Sequence, residues 1–172
     1  MDNGKMMEKT QLKNEGNFKN RHRSRELALQ TLYACEIGTT QDWQNTLERI
    51  ADDGALPADV KKYARELVCA TFDSLEQIDT IIQERAANWE LKRMAAIDRN
   101  ILRLAVTELK NYPQVPAKVV IDEAVELAKT FGTDDSGKFV NGIIDSIHKK
   151  MKKQSETSGK EGSSNGTDPL AI

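Results

Sequence analysis

The sequence predicts an all-α fold of about seven helices. Apolar residues recur at helical spacing through most of residues 21–150, and no segment alternates apolar and polar residues over four or more positions. Short breaks marked by Pro or Gly separate the periodic segments, as in helical bundles. Because 38% of the 172 residues are hydrophobic, the chain can bury one packed core.

The N-terminal half contains four of the predicted helices. The first spans about residues 21–37, a short second helix follows Asp42, and a third begins near Pro57, a residue suited to a first helical turn. Ser74 and Gln77 have the spacing of a capping box, which predicts that the third helix stops or bends there and a fourth begins.

The C-terminal half contains the clearest pattern. An apolar stripe over residues 94–109 predicts a helix of about four turns, and Pro116 begins the next helix. Gly132 has the position of a residue that ends a helix. The last helix is capped by one of three residues: Asp134, Asp135 or Ser136.

Both ends of the chain are polar and lack periodicity. We expect residues 1–19 to be a disordered basic extension, 20–152 to be the folded domain, and 153–172 to be a disordered tail. No apolar run is long enough to span a membrane and the N-terminus resembles no secretory signal, so we expect a cytoplasmic protein. In that compartment Cys35 and Cys69 are expected to be reduced, although a disulfide is possible.

No motif predicts catalysis, a cofactor or a metal. The octapeptide GTDDSGKF from Gly132 to Phe139 resembles a phosphate-binding loop, but its last position lacks the hydroxyl that would hold Mg²⁺ and a helix precedes it. The two histidines, His22 and His148, have no other ligand at metal-binding spacing. We therefore expect a protein that is not an enzyme.

Basic residues are concentrated at the start of the chain. Residues 1–25 contain seven Lys or Arg and three acidic residues. Arginine at the start of a helix opposes the helix dipole, which favours an external anion as the reason for the cluster at 21–25. Farther along, Gln30 could hydrogen-bond a base and Tyr33 could stack on one. From the residues alone, this basic cluster could bind a nucleic acid, bind a protein partner or serve only solubility.

Three segments together resemble the NusB family of bacterial antitermination factors: RHRSRELALQTLY, IDRNILRLAVTEL and VPAKVVIDEAVELAKTFGTDDSGKFVNGIIDSI. The resemblance implies two small helical bundles, with helices 1–3 packed against the C-terminal half. It further implies binding of boxA-type single-stranded RNA together with NusE, a ribosomal small-subunit protein. RNA polymerase-associated Nus factors would be further partners in ribosomal RNA transcription, and a homodimer is possible.

The resemblance and the basic cluster together give two sets of candidate residues. The RNA-binding candidates are Arg21, His22, Arg23, Arg25, Gln30, Tyr33, Lys138, Phe139 and Asn141. The partner-binding candidates are Asp98, Arg99 and Asp135.

Each candidate also has a structural alternative. Phe139 could belong to the core, Asp135 could cap a helix, and Asp98, which we expect to be exposed, could pair with Arg99 or Arg103. The alternative for the whole protein is a helical protein-binding scaffold without RNA affinity.

Overall fold

A computed structural model describes residues 3–86 and 89–158 and confirms the all-α class. Within these ranges the chain forms seven α-helices and one short 3₁₀ turn, η1, and it contains no strand. The elements are α1 (Asn3–Gly38), α2 (Trp43–Asp53), α3 (Ala58–Asp73), α4 (Leu75–Arg85), η1 (Leu91–Arg93), α5 (Ala96–Asn111), α6 (Ala117–Phe131) and α7 (Ser136–Ser158).

The helices pack as two groups that meet at α5. Helices α1, α2 and α3 contact one another, α6 and α7 contact each other and α5, and α5 also contacts α1 and α3. Helix α4 packs between α5 and α7. Large apolar side chains from most helices are fully buried in one continuous core, including Leu29, Leu67, Ile101 and Ile144. Helix α5 therefore joins the two groups.

The helix ends lie close to the predicted positions. Asp42 caps α2 by accepting a hydrogen bond from the backbone N–H of Asn45 at 3.2 Å. Ser74 separates α3 from α4, but its side chain makes no capping hydrogen bond, so the predicted capping box does not form. Gly132 ends α6 in an extended conformation, and a Cβ there would lie 2.5 Å from Ser136. Glycine is required by this close approach.

The first helix differs from the prediction for residues 1–19. Helix α1 is continuous from Asn3, so the predicted disordered extension is helical over its described part. Once a packed helix exists, each added residue gains a backbone hydrogen bond, and this segment is rich in good helix formers such as Lys, Glu and Met and lacks Pro. Residues 21–25 are therefore in the middle of α1, beyond the reach of the dipole at the helix end, so the dipole does not bear on the arginines there.

The C-terminal end also differs in part from the prediction. Helix α7 continues to Ser158, past the predicted domain boundary at residue 152, and residues 159–172 of the predicted tail lie outside the described residues. Across 3–86 and 89–158, no helix is long and apolar enough to cross a membrane. Cys35 is buried, Cys69 is partly exposed, and both are free thiols.

Candidate functional site

Arg25 points into the protein and forms an ion pair with Glu108 of α5. Arg25 is 4% exposed and Glu108 is 1% exposed. The Arg25 guanidinium donates two hydrogen bonds to the carboxylate, at 2.9 and 2.5 Å, and a third to Glu123 of α6 at 3.3 Å. The Tyr63 hydroxyl of α3 donates to Glu108 at 2.7 Å. Arg25 was predicted to contact RNA, and its burial disagrees with that prediction.

Burial and electrostatics act in opposite directions on this cluster. Burial alone would lower the pKa of Arg25, but the hydrogen bonds and charge of Glu108, with the charge of Glu123, outweigh it and the pKa is raised. Burial and the Glu108 carboxylate also raise the pKa of Tyr63. The guanidinium and the phenol are therefore held in their protonated forms, and the cluster links four helices.

The other three basic candidates have different environments. The Arg21 guanidinium lies 3.7 Å from the centre of the Tyr63 ring, although the residue is exposed. His22 contacts Glu123 at 2.8 Å and Glu26 at 3.5 Å. Arg23 is partly exposed and makes no ion pair within the described part of the chain. Arg21 and Arg23 are therefore the two arginines of the cluster that remain available to an external anion.

The exposed face of α1 carries further candidates. Gln30 is exposed, and Tyr33 and Ile37 are 38% and 60% exposed. Because a helix turns by about 100° per residue, Arg23, Gln30 and Tyr33 lie on one side of it. We call this side, defined by Arg23, Gln30, Tyr33 and Ile37, the outer face of α1. It combines a cation, an amide and an aromatic ring.

Arg99 forms part of a second internal network, at the other end of α1. Its side chain donates to Glu36 of α1 and to the backbone carbonyl oxygens of Leu91 and Met94, both at 2.8 Å. Arg103 pairs with the same Glu36 at 3.1 Å and with Asp79 at 2.7 Å. Arg99 was predicted to bind a partner, but its side chain is only 12% exposed and is engaged inside the protein.

The Glu36 carboxylate is stabilised by this network. Burial would raise the pKa of Glu36, but hydrogen bonds from Arg99 and Asn100 and the charge of Arg103 outweigh it, so the pKa is lowered.

Asp98 is buried rather than exposed as predicted. It lies in the first turn of α5 and is 9% exposed. Arg99 and Arg103 pair with Glu36 instead of Asp98, so the alternative of a surface ion pair at Asp98 is also wrong. Its Oδ1 atom is buried and has no hydrogen-bond partner among the described residues. Such an atom is costly to bury, by about 1–3 kcal/mol.

The candidates near the start of α7 lie at the surface. Asp135, Lys138 and Asn141 are exposed, and Phe139 is partly buried against the core. Ser136, rather than Asp135, makes the local side-chain contact, since its hydroxyl accepts from the backbone N–H of Thr133 at 2.9 Å.

Sequence reasoning missed an exposed aromatic residue beside the α7 candidates. Trp89, in the link between α4 and α5, is 57% exposed, and its ring lies edge to face with Phe139 at a centroid distance of 6.0 Å. The only signal was a tryptophan in a polar stretch without periodicity. The same link contacts α1 indirectly, because Arg99 bonds both Leu91 and Glu36. The link from Trp89 to Leu91 therefore lies between the α1 and α7 candidates.

No group of His, Cys, Asp and Glu residues suited to a metal ion occurs in the described ranges. Two cavities beside the described residues of these networks measure about 280 and 210 Å³. The larger is lined by Arg21, Tyr63 and Lys62 and the smaller by Cys35, Phe72 and Arg103, among others. The arrangement is one of charges, amides and rings at a surface, suited to binding a polyanion with planar groups.

Comparison with known proteins identifies relatives over most of the chain. The family model described as "NusB family" matches residues 22–149. A transcription antitermination protein NusB from Geobacter sp. (strain M21) is 46% identical over 135 residues, covering 74% of this chain and 92% of that protein.

Two solved structures share the fold. The structure of T. maritima NusB matches with a TM-score of 0.71 and 40% identity, covering 75% of this chain and 90% of that one. A crystal structure described as antitermination factors NusB and NusE in complex with dsRNA matches with a TM-score of 0.71 and 27% identity, covering 76% and 97%. The arrangement of α1 to α7, the family match and these relatives agree, and the chain belongs to the NusB family.

Proposed function

We propose that this chain binds boxA-type single-stranded RNA jointly with the ribosomal protein NusE and so supports processive transcription, chiefly of ribosomal RNA. The observation that carries the proposal is the outer face of α1, where Arg23 has no acidic partner in the described residues and lies on the same side as exposed Gln30 and Tyr33. The matched relatives are named as transcription antitermination proteins, which agrees with the prediction that the chain is not an enzyme.

The mechanism is one of binding rather than chemistry. Arg23 on the outer face of α1 and Arg21, about 200° away around the helix beside Tyr63, neutralise phosphates at two separate points of the strand and release counterions, which makes the affinity depend on salt. Gln30 and Tyr33 then contact unstacked bases, as proteins commonly do with single-stranded RNA. This step favours a single strand, because a duplex keeps its bases stacked and paired.

A second part of the RNA surface lies at the start of α7. Lys138 supplies another cation there, Asn141 an amide and Phe139 a ring. Because the link at Trp89 contacts Phe139 and is held to α1 through Arg99, one strand can pass from the outer face of α1 across this link to α7. Two such patches on one strand raise the affinity above that of either patch.

NusE binds, in this proposal, beside the first turn of α5. Asp98 supports this placement, because its Oδ1 has no hydrogen-bond donor among the described residues, and an outward rotation of this side chain, which is 9% exposed, would bring it within reach of a donor on the partner. Asp135, which is exposed at the start of α7, is the second candidate for contact with NusE. Arg99 acts by holding the link at Leu91 in place rather than by touching the partner. Other Nus factors join through this complex in the bacterial cytoplasm, where the transcript is made. A homodimer that covers the outer face of α1 would compete with RNA.

The test is fluorescence anisotropy of labelled RNA with the full chain, with and without NusE, over a series of salt concentrations. The probes are a boxA-type single strand, a scrambled strand of equal composition and the duplex of the first strand. We expect the boxA strand to bind most tightly and NusE to increase its affinity. Replacing Arg21 and Arg23 by Ala should weaken binding about tenfold and lower the salt slope by about 1.4, since each phosphate contact on a single strand contributes about 0.7.

The matched control removes two guanidinium groups from elsewhere on the surface. Arg49 of α2 and Arg65 of α3 are exposed, and their double replacement by Ala should leave the affinity and the salt slope nearly unchanged. Equal binding of the boxA and scrambled strands with NusE present contradicts the proposed specificity. Absence of any RNA binding, with NusE binding intact, would establish the alternative of a protein-binding scaffold.

A further inference from the structure

Trp89 exposes a large apolar ring that packing within the chain does not explain. Its side chain is 57% exposed, whereas the other tryptophan, Trp43, is partly buried and stacks on Phe72. Aromatic rings gain most of their stabilising energy from burial. A ring left in water therefore contributes little to the fold, which favours a binding role for Trp89.

The backbone that carries Trp89 is held in place. The Trp89 N–H donates to the carbonyl oxygen of Ala86 at 2.7 Å, and the Gln83 side chain donates to the Trp89 carbonyl oxygen at 3.0 Å. The Gln83 side chain also accepts from the N–H of Leu91 at 2.8 Å. Since the ring is presented by a fixed backbone beside Phe139, little conformational freedom is lost when a ligand stacks on it.

Gly142 is a glycine without an internal explanation. It lies within α7, one turn after Phe139 and on the same side, and it is exposed. Its φ is not positive, and a Cβ added there meets no atom of the described residues within 4 Å. By contrast, a Cβ at Gly137 would lie 3.3 Å from the Lys129 side chain. Glycine inside a helix is destabilising relative to alanine, and packing among the described residues does not require it here, whereas close approach of a ligand to the backbone would.

We propose that Trp89, Phe139 and Gly142 form a base pocket, in which one unstacked base of the RNA strand stacks on Trp89. The rings of Trp89 and Phe139 are inclined by 76° with their centres 6.0 Å apart, so the more exposed Trp89 offers a face for stacking and Phe139 adds apolar surface beside it. The missing side chain at Gly142 leaves room for the nucleotide over the helix backbone. This inference rests on the proposed function and adds a base-binding position to it.

The surroundings favour a nucleotide over an apolar protein segment. Lys138 and Asn141, both exposed on the same turn of α7, supply a cation for a phosphate and an amide for a base edge. The apolar surface consists of one exposed ring and the side of a second, which is the size of a base rather than of a protein interface. Stacking of this kind accepts any base, so the base pocket contributes affinity more than sequence preference.

Fluorescence gives a direct test, because the chain contains two tryptophans in all. Replacing Trp43 by Phe keeps an aromatic ring in the core and leaves Trp89 as the sole tryptophan. Titration of this variant with the boxA-type strand, without NusE and at low salt, should quench the tryptophan emission as the base stacks. The variant with Trp89 replaced by Phe, which retains Trp43, should show almost no quenching.

Binding measurements complete the test. Trp89→Ala should lower RNA affinity about tenfold, whereas Trp89→Phe should retain most of it. Gly142→Leu should lower affinity about tenfold by filling the space above the helix, while Gly142→Ala, the matched control, should change it little. Circular dichroism should show that all four variants remain helical, since none of these changes removes a buried side chain.

The possible outcomes separate this inference from the proposed function. If the Arg21 and Arg23 replacements weaken RNA binding but the changes at Trp89 and Gly142 do not, or if Trp89 emission is not quenched, the base pocket is refuted and the RNA function stands. If the changes at Trp89 and Gly142 reduce NusE binding without affecting RNA binding, the surface around Trp89 belongs to the protein partner and the inference is overturned. If wild-type protein with NusE binds no RNA, the proposed function itself fails.

Discussion

Replacing Arg25 by Met removes the cation from the buried cluster and leaves the Glu108 carboxylate with one donor, the Tyr63 hydroxyl. Glu108 is 1% exposed, so water cannot replace the lost guanidinium without opening the core. Breaking a buried ion pair on one side typically costs about 3–5 kcal/mol. Because small domains are stable by about 5–15 kcal/mol, we expect a large loss in the free energy of unfolding.

The reverse replacement should be less damaging. In Glu108→Met, Arg25 keeps its contact with the Glu123 carboxylate at 3.3 Å, and the guanidinium remains paired. We expect a cost of about 2–3 kcal/mol, mostly from the lost hydrogen bonds. The double variant should lose less than the sum of the two single variants, because neither charge is then left alone in the core, and residues in contact typically couple by about 0.5–3 kcal/mol.

Urea unfolding followed by far-ultraviolet circular dichroism measures these free energies for the wild type and the three variants. Arg49→Met is the control, since Arg49 is exposed and its loss should change stability by no more than about 0.5 kcal/mol. If Arg25→Met unfolds within about 1 kcal/mol of the wild type, Arg25 is not part of a buried ion pair, and its assignment to the RNA surface would be restored.

Two further predictions concern the carboxylates near the link. Because the pKa of Glu36 is lowered in the folded protein, the Glu36 carboxylate contributes its full stabilisation above the unfolded pKa of about 4.3, and this stabilisation is lost as the pH falls through the folded pKa. Glu36→Gln should therefore destabilise the protein at neutral pH and flatten the dependence of stability on acid pH. An unchanged acid unfolding curve would contradict this. Asp98→Ala removes an unpaired buried oxygen, so we expect stability within about 1 kcal/mol of the wild type but about tenfold weaker binding of NusE by calorimetry. Unchanged NusE binding would exclude Asp98 from that contact.

The helices could be predicted because each one carries a long, regular apolar stripe. The stripe ending at Leu109 was located from its apolar spacing, and the break at Ser74 was located from the Ser74–Gln77 spacing, although that capping box does not form. Propagation of α1 back to Asn3 was not predicted, because residues 3–19 have no apolar periodicity and the prediction relied on burial to drive helix formation. Helix continuation from an already packed segment leaves no such pattern in the sequence.

The candidate site could be predicted only in part, because its residues depend on distant partners. Arg25 and Glu108 are 83 positions apart in the sequence, so no local sequence pattern predicts their ion pair. Trp89 follows no periodicity, and only its exposure beside Phe139 in the folded chain marks it. The unpaired oxygen of Asp98 likewise exists only after α5 has packed.

One feature of the basic cluster could nevertheless have been read from helical geometry. Each residue turns a helix by about 100°, so Arg23 and Arg25 lie about 200° apart and cannot face the same side. Arg25 comes one turn before Ala28, which is fully buried, and so lies on the buried stripe of α1. If Arg25 is buried against Glu108, Arg23 must lie near the solvent side, together with Gln30. The buried ion pair therefore fixes the rotation of α1 about its axis, and through that rotation it determines which arginine can reach an RNA strand.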